Sequence, residues 1–206
     1  MNIGIVDVGI GNIGSLSGAL YSQGWDIQTI ETAADIEDIS HLILPGVGAF
    51  ATAMQRLHAA ELVEPIRAFV AEGQPLMGIC LGMQLLADLG VEGGESAGLG
   101  FIPGSVIPLE VEAQYRIPHV GWNVLHAHQP HPLLEGIKPG VDFYFVHSYF
   151  FNAELEEDVV GMTEYGSRYP SFVARQNVVG VQFHPEKSQR NGLRILDNFC
   201  LWDGSC

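Results

Sequence analysis

The first half of the chain alternates short apolar runs with segments in which apolar residues recur at helical spacing. The apolar runs predict four strands, NIGIVDV (2–8), DIQTIE (26–31), HLILPG (41–46) and QPLMGIC (74–80). Helical spacing is found in SLSGALYSQG (15–24), in AFATAMQRLHAAELVEPIRAFVAEG (49–73), which is interrupted before Pro65, and in LGMQLLADLG (81–90), which ends at Gly90. This alternation predicts a mostly parallel sheet with helices on both faces.

The second half has the pattern of short strands joined by turns. Strands are predicted in GFIPGSVIPLEV (100–111), VGWNVLHA (120–127), DFYFVHSYFF (142–151), VVGMTEYG (159–166), PSFVARQ (170–176) and VVGVQFHP (178–185). NGLRILDNFCLWDG (191–204) predicts a closing amphipathic helix. We expect antiparallel additions to the parallel core, all within one domain of residues 1–206, because no linker or repeat divides the chain.

Composition and charge exclude several classes of protein. Hydrophobic residues make up 47% of the chain and charged residues 16%, which is typical of a compact α/β protein. The formal net charge of −15 argues against a nucleic-acid partner, which needs clustered Lys and Arg. The start carries no basic segment before its apolar run, and no run reaches the ~18 apolar residues of a membrane span. The three cysteines, Cys80, Cys200 and Cys206, have no metal-like spacing, so we expect free thiols in the cytoplasm.

The sharpest chemical motif is GICLG, residues 78–82, between a predicted buried strand and a helix. Glycine, a nucleophile and a second glycine at this spacing are typical of the elbow on which hydrolases carry their nucleophile. The turn places Cys80 at a helix N-terminus, where the helix dipole favours the thiolate. An isolated cysteine is more often a buried structural residue, so this hypothesis depends on a nearby base.

Such a base is offered by VQFHPEKS, residues 181–188, at the end of another predicted strand. His184 is a candidate general base and acid for a cysteine nucleophile, and Glu186 is a candidate for fixing its tautomer. The period of two along a strand places both side chains on the same side, although Pro185 disturbs the backbone between them.

LPGVGAF, residues 44–50, is a third strand end followed by a glycine loop. Active sites of parallel α/β proteins gather at the carboxyl ends of strands. Backbone N–H groups of Val47 or Gly48, together with that of Leu81, are therefore candidates for an oxyanion hole.

Two other motifs point to cofactors that we do not expect. GIGNIG (9–14) has the G-x-G-x-x-G spacing of a dinucleotide site, with Glu31 at the end of the next strand, but a carboxylate at Asp7 would oppose a pyrophosphate. We interpret it as a turn and packing device. The histidines of HAHQPH have no Cys or carboxylate beside them, so we interpret His126, His128 and His131 as surface residues and not as metal ligands. We also expect His147 to be structural or to shape the site, and not to carry protons, since His184 has that role.

Five segments occur together in one order: PGVGAF, GICLGMQLL, IPHVGWN, FYFVHSY and VQFHPEKS. This set closely resembles the class I, triad-type glutamine amidotransferases, from the first strand to roughly the last helix. Within them it resembles the glutaminase subunits of imidazole glycerol phosphate synthases. The resemblance implies a flavodoxin-like, three-layer fold, no cofactor and no metal.

The resemblance also implies roles for single residues. Cys80 would attack the glutamine carboxamide to give a glutamyl thioester, His184 would transfer protons, and Glu186 would orient it. The remaining substrate contacts implied are Gln84, the backbone of Ser148 and Tyr149 for the α-carboxylate of glutamine, and more loosely Glu92 for the α-amino group.

A partner is implied as well. In this family, ammonia passes into a (βα)8 cyclase subunit, which forms imidazole glycerol phosphate and an aminoimidazole carboxamide nucleotide (AICAR) in histidine biosynthesis. The chain would act in a heterodimer of these subunits. The positions that would face the cyclase are Asn12, Trp122, Asn123, Tyr144 and Lys187.

Three alternatives stay open at the level of sequence. A paralogous glutaminase would supply ammonia for amidino sugars of a surface polysaccharide. A nucleotide-binding or regulatory module would keep the sheet but form no thioester at Cys80. A cysteine hydrolase acting on peptides or γ-glutamyl compounds would use the same three side chains.

Overall fold

The structure is a computed structural model that describes residues 2–205. Its main sheet has eight strands, of which the first five are parallel and form the core. In their spatial order these five are β2 (Asp26–Ile30), β1 (Asn2–Val6), β3 (His41–Gly46), β4 (Leu76–Cys80) and β14 (Val178–Val181). This is the flavodoxin-like order 2-1-3-4-5, and it confirms the predicted fold class.

Helices cover both faces of the parallel strands. Successive residues of a strand point to opposite sides, and in β3, β4 and β14 the residues on both sides are buried. Ile43 packs into the hydrophobic cluster on the face of α1 (Ile13–Ser22) and α5 (Gln189–Leu201). Leu42 and Leu44 pack into the other cluster, with α2 (Phe50–Ala59) and α3 (Val63–Ala71). The break between α2 and α3 confirms the interruption predicted before Pro65.

Strand β14 joins the two halves of the chain. It runs parallel to β4 and antiparallel to β13 (Ser167–Arg175). The sequence pattern placed it among the antiparallel additions, whereas the structure makes it the fifth strand of the parallel core. The sheet then continues with β12 (Val159–Tyr165) and the short β9 (His126–Ala127).

Two smaller sheets carry the rest of the second half. One pairs β8 (His119–Val124) with β10 (Asp142–His147) in antiparallel register. The other has the order β11-β7-β5-β6, formed by Tyr149–Ala153, Gly104–Pro108, Leu89–Gly90 and Ser96–Ala97. Ser148 alone separates β10 from β11, so one continuous segment passes from one sheet to the other beside the core.

The helix predicted over 81–90 is much shorter than expected. Helix α4 spans only Leu81–Leu85, and residues 89–90 form a strand. The carbonyl of Leu85 accepts the N–H of Leu99, and that of Leu86 accepts the N–H of Phe101. In a longer helix these carbonyls would accept N–H groups four residues later. Because residues 99 and 101 occupy them instead, the helix ends at Leu85.

No helix within residues 2–205 is long and apolar enough to span a membrane. Cys200 is a free thiol, as expected, and is buried in α5, whereas Cys206 lies outside the described residues.

Candidate active site

The three predicted chemical motifs meet at the carboxyl ends of the parallel strands. Gly46 ends β3, Cys80 ends β4, and His184 follows β14 after two further residues. Since β4 lies between β3 and β14, the cysteine lies between the glycine loop and the histidine. Distant motifs are thus brought together by the topology of the sheet.

Cys80 has the strained backbone of a nucleophile elbow. Its φ is +55° and its ψ −109°, and it is the N-cap of α4. A Cβ on Gly78 would lie 2.5 Å from the carbonyl oxygen of Gly82, and one on Gly82 would lie 1.7 Å from the carbonyl oxygen of Leu44. Both flanking positions therefore require glycine, as the motif predicts.

The thiol of Cys80 is 6% exposed and is held by polar groups from the second half of the chain. Its Sγ lies 3.7 Å from the carbonyl oxygen of Val146 and 3.8 Å from Nε2 of Gln182. Sequence reasoning missed Gln182, although it lies two positions before His184 and strand alternation gives it the same side.

His184 and Glu186 form a buried pair. His184 Nδ1 lies 2.9 Å from Glu186 Oε1, and their side chains are 4% and 5% exposed. The two side chains meet, as predicted, but β14 ends at Val181 and Glu186 stands in a 3₁₀ turn (Pro185–Lys187), so this turn and not the period of a strand brings them together. The backbone N–H of His184 donates to the carbonyl of Tyr144 at 2.9 Å, which ties the base to β10.

The second nitrogen of this histidine is available for proton transfer. His184 Nε2 and Glu186 Oε2 are buried without a hydrogen-bond partner among residues 2–205. Burial opposes the charged imidazole, but the nearby Cys80 sulfur and the Glu186 carboxylate outweigh it and raise the pKa of His184 above its ordinary value. The base beside the cysteine therefore keeps its proton more readily than a free imidazole does.

The predicted oxyanion loop lies beside the cysteine with one donor turned away. The N–H of Val47 makes a short hydrogen bond to the carbonyl of Ile10, so in this conformation it does not point at the reacting centre. Gly48 has a φ of +106°, and a Cβ at this position would have no atom within 4 Å, so the loop is open on that side. Leu81, by contrast, is the first residue of α4 and is buried beside the sulfur.

A cavity of about 300 Å³ opens in front of Cys80. It brings together Cys80, His147 and every residue predicted to contact the oxyanion or substrate, and adds two residues that the sequence did not assign to the site, Pro118 and Val146. Its lining consists of Val47, Gly48, Cys80, Leu81, Gln84, Glu92, Pro118, Val146, His147, Ser148 and Tyr149.

Two of the predicted substrate residues also hold the protein together. Gln84 Nε2 donates to the Tyr149 carbonyl at 2.9 Å and to Gln182 Oε1 at 3.1 Å. Glu92 Oε2 accepts the N–H of Phe50 at 3.0 Å and so caps α2. Gln84 thus positions the segment 148–149, and Glu92 anchors the end of the oxyanion loop.

The residues predicted to face a partner fall into two groups. Trp122 and Tyr144 are cross-strand neighbours on β8 and β10 with ring centroids 5.9 Å apart, and Trp122 is 48% exposed. Lys187 and Asn12 are exposed, and Asn12 lines a crevice together with His184 and Glu186.

Asn123 differs from this group because its amide is engaged inside the protein. Its Nδ2 donates to the carbonyl of Glu164 at 2.9 Å, and its Oδ1 accepts the N–H of Val124 at 2.8 Å. The side chain is therefore not free for a partner in this structure.

The dinucleotide-like motif near the N-terminus has a structural role. Gly9 has a φ of +73°, a Cβ on Gly11 would lie 3.1 Å from Pro45, and Asn12 caps α1 by accepting the N–H of Ser15 at 3.2 Å. This geometry is that of a turn and packing device.

One of the three HAHQPH histidines was misplaced. His126 and His128 are exposed, but His131 is buried against Phe172 and Trp202, because the chain turns inward at the 3₁₀ helix that follows. Burial lowers the pKa of His131 to about 4. Within the described part of the chain no group of His, Cys, Asp or Glu is arranged to hold a metal.

Comparison with known proteins gives a consistent picture. The sequence profile of the family described as glutamine amidotransferase class-I matches residues 4–202. The imidazole glycerol phosphate synthase subunit HisH of Desulfitobacterium hafniense (strain DSM 10664 / DCB-2) is 46% identical over 200 residues, which are 97% of this chain and 94% of that one. The HisH subunit of Moorella thermoacetica is 47% identical over 197 residues, covering 96% and 93% of the two chains.

Solved structures with lower identity share the fold. A crystal structure of a glutamine amidotransferase superposes with a TM-score of 0.74 at 24% identity, covering 98% of both chains. The structure of PurLQS from Thermotoga maritima gives 0.76 at 18% identity, covering 97% of both chains.

Proposed function

Since the chain belongs to the class I glutamine amidotransferases, and within them to the family of HisH subunits, we propose that it is the glutaminase subunit of an imidazole glycerol phosphate synthase. It hydrolyses glutamine to glutamate and ammonia for histidine biosynthesis. The observation that carries the chemistry is the buried Cys80 elbow with the His184–Glu186 pair, opening into one cavity with Gln84 and residues 148–149.

The geometry supports a two-step reaction at Cys80. The thiolate attacks the side-chain carboxamide carbon of glutamine, and the tetrahedral oxyanion accepts the N–H of Leu81. His184 Nε2 gives its proton to the departing nitrogen, so the C–N bond breaks and ammonia leaves a glutamyl thioester. His184 then takes a proton from water, which attacks the thioester and releases glutamate. Glu186 holds the imidazole in the tautomer that presents Nε2.

The oxyanion loop supports activation by the partner. In this structure Leu81 begins α4, so its N–H has no partner within that helix, whereas the Val47 N–H is bonded to Ile10. We propose that docking reorients residues 46–48 so that the N–H of Val47 or Gly48 completes the oxyanion hole. Loop geometry that is unchanged between a resting and an activated complex would contradict this step.

A (βα)8 cyclase subunit is the proposed partner, in a heterodimer. Its support is a set of exposed apolar side chains on segments that line or adjoin the cavity, where a monomer gains nothing from them. They are 48–54% exposed: Val47, Ile117, Val120 and Trp122. A partner bound there would cover the cavity, and ammonia would pass into that partner before it could be protonated and diluted in solvent.

We retain two further proposals. Residues 1–206 form one domain, supported by strand β14, which ties the second half into the parallel core. The protein works in the cytoplasm, supported by the free thiols of Cys80 and Cys200. The surface-polysaccharide alternative is not favoured, because the relatives at 46–47% identity are HisH subunits.

The test measures glutamate released from glutamine by the chain alone and with a (βα)8 cyclase subunit and its nucleotide substrate. Partner-stimulated hydrolysis that is lost in Cys80→Ala supports both the nucleophile and the coupling. Hydrolysis that persists in Cys80→Ala contradicts the nucleophile. Silence in every mixture contradicts the proposed partner, and a surface-sugar amidotransferase would be tested next.

A further inference from the structure

Three buried polar side chains beside the cavity, of which only His147 lines it, have no role in the chemistry proposed so far. His119 on β8, His147 at the end of β10 and Tyr169 on β13 are 2%, 6% and 0% exposed. His119 Nδ1 lies 2.8 Å from the Tyr169 hydroxyl and 3.1 Å from His147 Nε2, and that nitrogen lies 3.1 Å from the same hydroxyl. The three polar atoms form a closed triangle, which we call the histidine–tyrosine cluster.

The protons of this cluster follow from its neighbours. Burial lowers the pKa of His119 to about 4 and that of His147 to about 3, so each ring is neutral and has one donor and one acceptor. His147 Nδ1 lies 2.9 Å from the Tyr149 carbonyl, which only accepts, so Nδ1 carries the hydrogen and Nε2 accepts. Burial also raises the pKa of Tyr169, so its hydroxyl keeps its proton.

Asn123 fixes the other end of the chain of donors. Its Nδ2 donates to the carbonyl of Glu164 and also lies 3.4 Å from His119 Nε2. Since Nδ2 can only donate, His119 Nε2 accepts, and His119 carries its hydrogen on Nδ1. The Nδ1–H of His119 therefore donates to the Tyr169 oxygen, and the Tyr169 hydroxyl donates to His147 Nε2. Hydrogen bonds run in one direction, from Asn123 through His119, Tyr169 and His147 to the Tyr149 carbonyl. Each buried nitrogen of the two rings has a partner.

The end point of this series is the Tyr149 carbonyl, which accepts from both His147 Nδ1 and Gln84 Nε2. The preceding carbonyl, that of Ser148, accepts the N–H of Leu109 at 2.8 Å. The segment between β10 and β11 is thus fixed at two successive peptide planes. Ser148 and Tyr149 both line the cavity beside Cys80.

We propose that the histidine–tyrosine cluster positions residues 148–149 for the α-carboxylate of glutamine, with His119 as its joint to strand β8. This inference rests on the proposed glutaminase function and assigns positioning roles to His119 and Tyr169, neither of which lines the cavity. The cluster moves no proton in the reaction. It acts on glutamine affinity by holding the backbone that binds the substrate.

A matched pair of variants isolates the role of His119. His119→Asn places an amide nitrogen near the position of Nδ1, whereas His119→Gln places it near Nε2. Both remove the ring that stacks between Phe145 and Tyr165, at centroid distances of 5.0 and 4.0 Å, so the loss of packing is shared. Tyr169→Phe removes only the hydroxyl.

The control is Ser171→Ala, on the same strand as Tyr169. Ser171 is fully buried and its hydroxyl lies 2.7 Å from that of Thr163, but this pair does not reach residues 147–149. Like Tyr169→Phe, this variant removes one buried hydroxyl, but it leaves the histidine–tyrosine cluster unchanged.

The experiment measures glutamine binding by calorimetry in a Cys80→Ala background, and KM and kcat in the otherwise unchanged chain with its partner. We expect His119→Gln and Tyr169→Phe to weaken binding and raise KM about five-fold, the effect of one lost hydrogen bond, with kcat little changed. His119→Asn should recover most of the affinity, and Ser171→Ala should leave it unchanged.

The outcomes separate this inference from the proposed function. Equal affinity in His119→Gln, Tyr169→Phe and the parent would overturn the positioning role while leaving the glutaminase intact. Equal weakening by Ser171→Ala would also overturn it, because the effect would then be one of general stability. A parent chain that binds no glutamine contradicts the proposed function itself.

Discussion

Strands β3 and β4 lie side by side and each ends in a loop beside the cavity, but the two loops are fixed in different ways. The elbow after β4 is locked by backbone contacts, since Gly82 packs directly on the Leu44 carbonyl. In the loop after β3 the Val47 N–H is bonded to the carbonyl of Ile10, which keeps it away from the cysteine. The nucleophile is thus built into the core. The loop that carries the proposed oxyanion donor, which we call the adjustable loop, is held there by a hydrogen bond that the proposed docking of a partner would break.

The largest effect is expected from breaking the locked loop. In Gly82→Ala the new Cβ would lie 1.7 Å from the Leu44 oxygen, so β3 and α4 must separate. We expect a loss of at least about 3 kcal/mol in the free energy of unfolding, together with loss of glutaminase activity. Denaturant unfolding measures the first and glutamate release the second.

Gly18→Ala is the matched control for this variant. Gly18 lies within α1 with nothing within 4 Å of a new Cβ, so alanine should stabilise the chain by about 0.5–1 kcal/mol through helix propensity. If both glycine variants unfolded at the same denaturant concentration, the elbow would not be locked in the way described.

A second prediction concerns the adjustable loop. Val47→Pro removes the N–H that now bonds to Ile10, whereas Val47→Ala keeps it and trims a half-exposed side chain. With the partner present, we expect kcat to fall about 10²–10³-fold in the proline variant, as for a lost oxyanion donor, and only slightly in the alanine variant. Steady-state kinetics with saturating partner would show the difference. Equal rates in the two variants would assign the donor to another residue.

A smaller effect is expected from a change that leaves both loops in place. Glu186→Gln retains an acceptor for His184 Nδ1 but removes the negative charge that helps raise the pKa of His184. We expect kcat/KM to fall about ten- to a hundred-fold.

The same variant should change the dependence of activity on pH. A raised pKa keeps the imidazolium protonated to higher pH, so removing its cause moves the alkaline limb of the pH profile to lower pH. Profiles of kcat/KM for the parent and Glu186→Gln, recorded with the partner, test this. An alkaline limb that does not move would show that the carboxylate has no electrostatic effect on the base.

The elbow was predictable from sequence because its constraints are local. GICLG contains the two glycines that the sharp turn needs, and the rule that sites gather at strand ends brings Cys80 and His184 together. The early end of the helix after Leu85 was not predictable, because the carbonyls of residues 85 and 86 are taken by a segment more than ten residues later.

The state of the loop and the direction of buried polar groups were also beyond sequence. The Val47 N–H bonds to Ile10, which lies in the loop after a different strand, and no local pattern encodes that choice. Asn123 was expected to face a partner, yet its amide joins a buried cluster, because alternation along β8 gives it the same face as His119. His131 was expected at the surface, and only the tertiary structure shows that the chain turns inward there.

The position of β14 has a consequence for biosynthesis on the ribosome. This strand is the fifth of the parallel core, yet it pairs with β4 across a sequence separation of about a hundred residues, and such non-local contacts form slowly. The elbow with Cys80 is synthesised early. The base, His184, follows β14 and reaches Cys80 only when that strand joins the sheet. A growing chain thus carries its cysteine without a proton acceptor until the sheet closes, so the competence to release ammonia and the completion of folding arrive in the same event.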